Sequence, residues 1–127
     1  MPTRKRSTPK EIAIVMHVTT DHGEVTVSPT EAFVAPGEEV RWRLWAHRGD
    51  PGAFPHERRD FRKSRGELVL TFESEAPFGH RILRGRNGMA VAKASGPSGP
   101  HHYKLVAAHR DQVAAVMHCP SIVIKNK

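Results

Sequence analysis

Cysteine is almost missing from this chain: Cys119 is the only one in 127 residues. One thiol cannot form an intrachain disulfide, so stability must come from packing, and the count agrees with a reducing compartment. Long apolar runs are missing too. No stretch approaches the roughly 20 residues that span a bilayer, and residues 1–10 are basic and proline-bearing, without the apolar segment of a secretory leader. These absences set the expectation of a soluble, cytoplasmic protein with no membrane partner. Acids are scarce relative to bases, 13 against 20, giving a formal charge of +7 that favours acidic partners over basic ones. Catalytic signatures are absent as well: there is no Gly-x-Ser-x-Gly elbow, no His-Glu-x-x-His and no phosphate-binding glycine loop. The expectation is a protein that is not an enzyme.

What is present is period two. The chain has the length of one domain, large enough to bury a core without a disulfide or structural metal. Residues 1–10 read as a basic flexible tail and residues 11–127 as the domain. Ile12, Ile14, Met16 and Val18 alternate with Ala13, Val15 and His17, which predicts a strand. Thr19-Thr20-Asp21-His22-Gly23 supplies turn chemistry before Val25 and Val27 resume, so a hairpin is expected. Val40, Trp42 and Leu44 alternate with Arg41, Arg43 and Trp45; Leu68, Leu70 and Phe72 repeat the pattern around Val69 and Thr71. Tyr103, Leu105 and Ala107 alternate with His102, Lys104 and Val106, and residues 113–118 and 122–124 end the chain as strands. Residues 80–94 are mixed, with Ile82, Leu83, Met89 and Val91 as core candidates. About seven or eight short strands separated by turn signals predict an all-β, antiparallel Greek-key β-sandwich.

Three polar segments interrupt the strands. Residues 46–66, rich in Arg, Asp, Gly, Pro and His, read as a long surface loop, in which residues 57–65 have the composition for one or two helical turns. Residues 95–100 form a short connector. Gly85-Arg86-Asn87-Gly88 spells the Gly-x-x-Gly of RNA-binding KH loops, but it reads as a turn whose Asn and Gly accept positive φ. Cations concentrate in two places: four without an acid in residues 1–10, and eight against three acids in residues 41–66. Arg58, Arg59, Arg62, Lys63 and Arg65 of the loop, with Arg84 and Arg86, are the candidate anion- or partner-binding residues.

One run carries a resemblance: Val27-Ser28-Pro29, then Phe33-Val34-Ala35-Pro36-Gly37-Glu38-Glu39-Val40-Arg41-Trp42. It resembles the cupredoxin-like family, with its Pro-Gly-Glu/Asp turn feeding a Val-x-Trp strand, and the likeness extends over nearly the whole chain from Glu11. The turn has a physical basis, since proline presets φ and glycine accepts a positive one. In copper-binding members the first His follows the Val-x-Trp strand, a place where His47 and His56 stand here. A Cys, a second His and usually a Met lie near the C-terminus, the His and Met after the Cys. In this chain His109, Met117 and His118 all precede Cys119. Cys119-Pro120-Ser121-Ile122-Val123-Ile124 is similar instead to the end of copper-free members, where an Asp-Pro pair precedes the last strand. Cys119 in that slot is expected to be a small buried or half-buried thiol.

The resemblance therefore implies a non-catalytic binding or assembly module without a standard type 1 copper site and with no cofactor. Its expected partner is a protein, met by the edge strands and the loop of residues 46–66. One alternative is a copper-binding or electron-transfer protein with an atypical ligand set of His47, His56, His118 and Cys119. Another is a basic nucleic-acid-associated protein that uses its tail and arginine-rich loop.

Overall fold

The computed structural model describes residues 10–18, 24–48, 61–75, 77–116 and 119–125. His56, Arg58, Arg59 and His118 lie outside them, as does the tail up to residue 9. Eleven strands and no helix occur among the described residues: β1 Lys10–His17, β2 Glu24–Ser28, β3 Glu31–Val34, β4 Glu39–His47, β5 Phe61–Lys63, β6 Glu67–Phe72, β7 Ile82–Gly85, β8 Met89–Lys93, β9 Gly99–His109, β10 Gln112–Ala115 and β11 Ser121–Ile124. Among the described residues no helix is long and apolar enough to cross a membrane.

The strands form two mixed sheets packed face to face, as in a β-sandwich. In the first, β2, β1 and β4 lie side by side, and β5 and β8 share the far edge of β4, pairing with residues 45–47 and 39–43 respectively. In the second, β3, β11, β9, β6 and β7 follow in order, and β10 pairs with the end of β9. The expected β1–β2 hairpin is present and antiparallel. Two pairs are parallel, β1 with β4 and β3 with β11. Lys10, placed in the tail by composition, is the first residue of β1 and stands opposite Val40.

Alternation decides the core. Ile12, Ile14 and Met16 from β1 and Val40, Trp42 and Leu44 from β4 face Leu68, Leu70, Phe72, Tyr103, Leu105 and Ile122 of the other sheet, all buried. Trp42 is fully enclosed, with edge contacts to Phe78 and Tyr103 at centroid distances of 5.4 and 6.1 Å. Its indole N–H donates to the Tyr103 hydroxyl oxygen at 3.2 Å, so the one polar atom of this aromatic cluster is satisfied. Burial pushes the Tyr103 phenol up to about 12, against the smaller opposing effect of the Trp42 hydrogen bond.

Several expectations are corrected. Ile82, Met89 and Val91 are 50%, 38% and 46% exposed and are not core residues; Leu83 is partly buried. The reason lies in the ladder, where Ala90 stands opposite Trp42 and Ala92 opposite Val40. Small residues fit beside the indole, and the larger side chains of β8 are turned outward by the same alternation. The helical turns expected in residues 57–65 do not form over 61–63, which pair as β5 with the end of β4. The loop of residues 46–66 is thus shortened at both ends, since Ala46 and His47 belong to β4 and Phe61 to β5. The connector of residues 95–100 likewise loses Gly99 and Pro100 to β9. Gly85 to Gly88 is a turn between strands β7 and β8, with Asn87 and Gly88 at φ 55° and 73°.

Candidate functional site

At one end of the sandwich the chain gathers positive charge. The first contributors are Arg62 and Lys63 on β5, set opposite Ala46 and Trp45, and Arg48 just beyond β4. The turn between β9 and β10 brings Arg110 and Asp111 from the other sheet, and the Gln112 side-chain N–H donates to the Val18 carbonyl at 3.4 Å, tying the sheets together there. These residues, with Val18, Ala46 and His109, line a cavity of about 410 Å³. A second cavity of about 380 Å³ adjoins it through Lys63, His109 and Arg110 and adds Ser64, Arg65 and Gly66.

Five cations, Arg48, Arg62, Lys63, Arg65 and Arg110, therefore surround the two cavities, with Asp111 as the one acid among the described lining residues. Arg43 pairs with Glu11 at 3.8 Å, elsewhere on the first sheet. Arg110 also sits at φ 54°, a left-handed conformation that a non-glycine residue adopts at some cost. The arrangement is chemically suited to holding an anion that spans more than one charge.

His109 lies at the join of the cavities. Ser64, 3% exposed, accepts a hydrogen bond from the Gly66 N–H at 3.0 Å and lies 2.6 Å from His109 Nδ1. Burial, and secondarily the charge of Arg110, hold the His109 imidazole below its ordinary value. A neutral ring accepts from the Ser64 hydroxyl at Nδ1 and keeps its N–H on Nε2. Ser64 is buried although it lines the second cavity, and the pair ties the start of β6 to the end of β9.

No protein-family model matches the chain, and no curated protein matches it.

Of the anion-binding candidates, the structure brings Arg62, Lys63 and Arg65 together. Arg84 and Arg86 are exposed on β7 and the turn after it and line neither cavity. Arg58 and Arg59 fall outside the described residues. Arg48, His109 and Arg110 were not legible as site residues. The one signal for the last two was the polar interruption His109-Arg110-Asp111-Gln112 between the alternation ending at Ala107 and Val113.

The metal candidates separate. Cys119 is exposed, not buried or half-buried as expected, because it precedes β11 at the rim of the second sheet. It lines a cavity of about 190 Å³ with Thr71, Phe72, Arg81 and His102, among others. His47 ends β4 in the first sheet and meets His17 across the β1–β4 ladder, Nδ1 to Nδ1 at 3.1 Å, with the rings perpendicular. His47 and Cys119 thus stand in different surroundings and do not fit a shared type 1 copper set. Among the described residues no three His, Cys, Asp or Glu side chains converge as a metal cluster. His56 and His118 lie outside those residues.

Proposed function

We propose that this chain is a non-catalytic binding module of cupredoxin-like form, without a type 1 copper site, that holds an acidic segment of a partner protein at the basic end of the sandwich. The observation that carries the reading is the ring of Arg48, Arg62, Lys63, Arg65 and Arg110 around two adjoining cavities, with a single acid among the described lining residues. The cupredoxin-like part rests on the turn of Ala35 to Glu39, which leads into the buried Val40 and Trp42 of β4 as the motif implies. The separation of Cys119 from His47 supports the copper-free alternative over the copper-binding one.

Binding of a glutamate- and aspartate-rich peptide, measured calorimetrically at low and high salt, tests this. The Lys63→Glu/Arg65→Glu variant is expected to lose roughly tenfold or more in affinity, while Arg84→Glu/Arg86→Glu loses clearly less, because only the first pair lines the cavities. Equal losses would remove the basic end from the proposal. An oligonucleotide of matched charge is the comparison: sequence-selective binding that survives high salt would favour the nucleic-acid alternative, since purely electrostatic binding falls steeply with salt.

A further inference from the structure

We propose that the acidic segment held at the basic end carries a phosphoryl group, the monoester of a phosphorylated serine or threonine, seated where the two cavities join. The proposal rests on the basic-end reading and deepens it by naming the group the site takes. Lys63, His109 and Arg110 are the described residues that line both cavities. They arrive from different places: Lys63 ends β5, His109 ends β9, and Arg110 begins the turn to β10. The join therefore offers a compact ammonium, an imidazole N–H and a planar guanidinium, donors of three kinds at one place.

The donor at His109 is set by the groups behind it. The Gly66 N–H donates to Ser64 Oγ at 3.0 Å, and the Ser64 hydroxyl hydrogen is left for His109 Nδ1 at 2.6 Å. With Nδ1 occupied, the Nε2–H is the ring's donor for a ligand in the cavities, and a buried serine, not the ligand, selects that tautomer. Arg110 is fixed by its turn at φ 54°, where glycine would lie without strain. A carboxylate has only two oxygens to share among these donors. A phosphate monoester has three terminal oxygens and a charge of about −1.5 to −2 near neutral pH, so it can meet all of them at once. Arg48 and Arg62 line the first cavity alone and Arg65 the second alone, flanking the join on either side. They are placed for acidic residues before and after the phosphorylated one, as in other recognition of phosphorylated acidic segments by arginine clusters. Asp111 lines the first cavity and not the second, so it does not border the join.

The test is calorimetry of the full chain with an aspartate- and glutamate-rich peptide bearing one central serine, the same peptide phosphorylated on that serine, and inorganic phosphate. The phosphopeptide is expected to bind about tenfold or more tightly than the unmodified peptide and to shift the His109 Nε2 resonance in proton–nitrogen NMR. Arg110→Gly removes the guanidinium while suiting the positive φ of the turn, so it is expected to keep the fold and to lose the phosphopeptide preference severalfold. Arg84→Gln/Arg86→Gln, away from both cavities, should keep the wild-type preference. Equal affinity for the two peptides would overturn the phosphoryl group and leave the basic-end reading standing, whereas binding of neither would overturn both. Inorganic phosphate bound as tightly as the phosphopeptide would remove the peptide from the proposal. A phosphopeptide that binds without moving His109 would remove the join as its seat, and its displacement by an equal concentration of charge-matched oligonucleotide would transfer the site to nucleic acid.

Discussion

Trp42 and Trp45 lie three residues apart on one strand, and parity gives them opposite fates. Trp42 is fully buried among Phe78, Tyr103 and Phe72, whereas Trp45 is partly exposed on the outer face of the first sheet. Trp42→Ala is expected to cost about 3–5 kcal/mol in urea unfolding, through the emptied volume and the stranded Tyr103 hydroxyl, and Trp45→Ala clearly less. Equal losses would refute the assignment of faces. His109 makes a separate prediction at this scale. Its imidazole is held below the ordinary 6.5 by burial first and by Arg110 second. The unfolded chain therefore binds more protons at this residue as pH falls through 6.5 toward the lower folded value. The His109 contribution is complete above that window and is lost on acidification. Urea midpoints measured near about pH 7.5 and about pH 5.5 should fall more for the wild type than for His109→Gln. An identical fall would exclude His109 as a source of acid sensitivity.

Among the elements, the β7–β8 hairpin shows why a four-residue motif has the form it has. Gly88 combines φ 73° with close approach: a Cβ there would meet the Ser64 carbonyl oxygen at 1.8 Å. Its N–H donates to the Gly66 carbonyl at 2.7 Å, and its own carbonyl accepts from the Leu44 N–H at 2.7 Å. The turn thus plugs into the backbone between β4 and β6, and only glycine fits. Gly88→Ala is expected to destabilise by about 3 kcal/mol or more, strain and clash together, where Asn87→Gly should be nearly neutral because Asn87 already tolerates its left-handed φ. Thermal melts of the two variants check this, and a mild Gly88→Ala would show that the hairpin can lift away without cost. The same packing accounts for β8, whose Ala90 is set by the indole opposite it and not by its own hydropathy.

At the scale of the whole molecule, the excess of positive charge proves to be organised. Composition alone predicts attraction to acidic partners, and linear concentration picks out the segment holding Arg62, Lys63 and Arg65. Closing the sandwich adds Arg48, His109 and Arg110 to that group and leaves Arg84 and Arg86 elsewhere. What could be read from residue order was whatever depends on period and turn chemistry: the all-β class, the β1–β2 hairpin, the inward faces of β4, β6 and β9, and the Gly88 turn. These follow from steric preferences local to a few residues, so tertiary contacts had only to agree with them. The exposure of Ile82, Met89 and Val91, the strand at Phe61–Lys63, the exposure of Cys119 and the meeting of His17 with His47 depend on which strand lies beside which. Residues distant in sequence are brought together there by sheet order and register, and strand order is a property of the closed sandwich that no local pattern encodes.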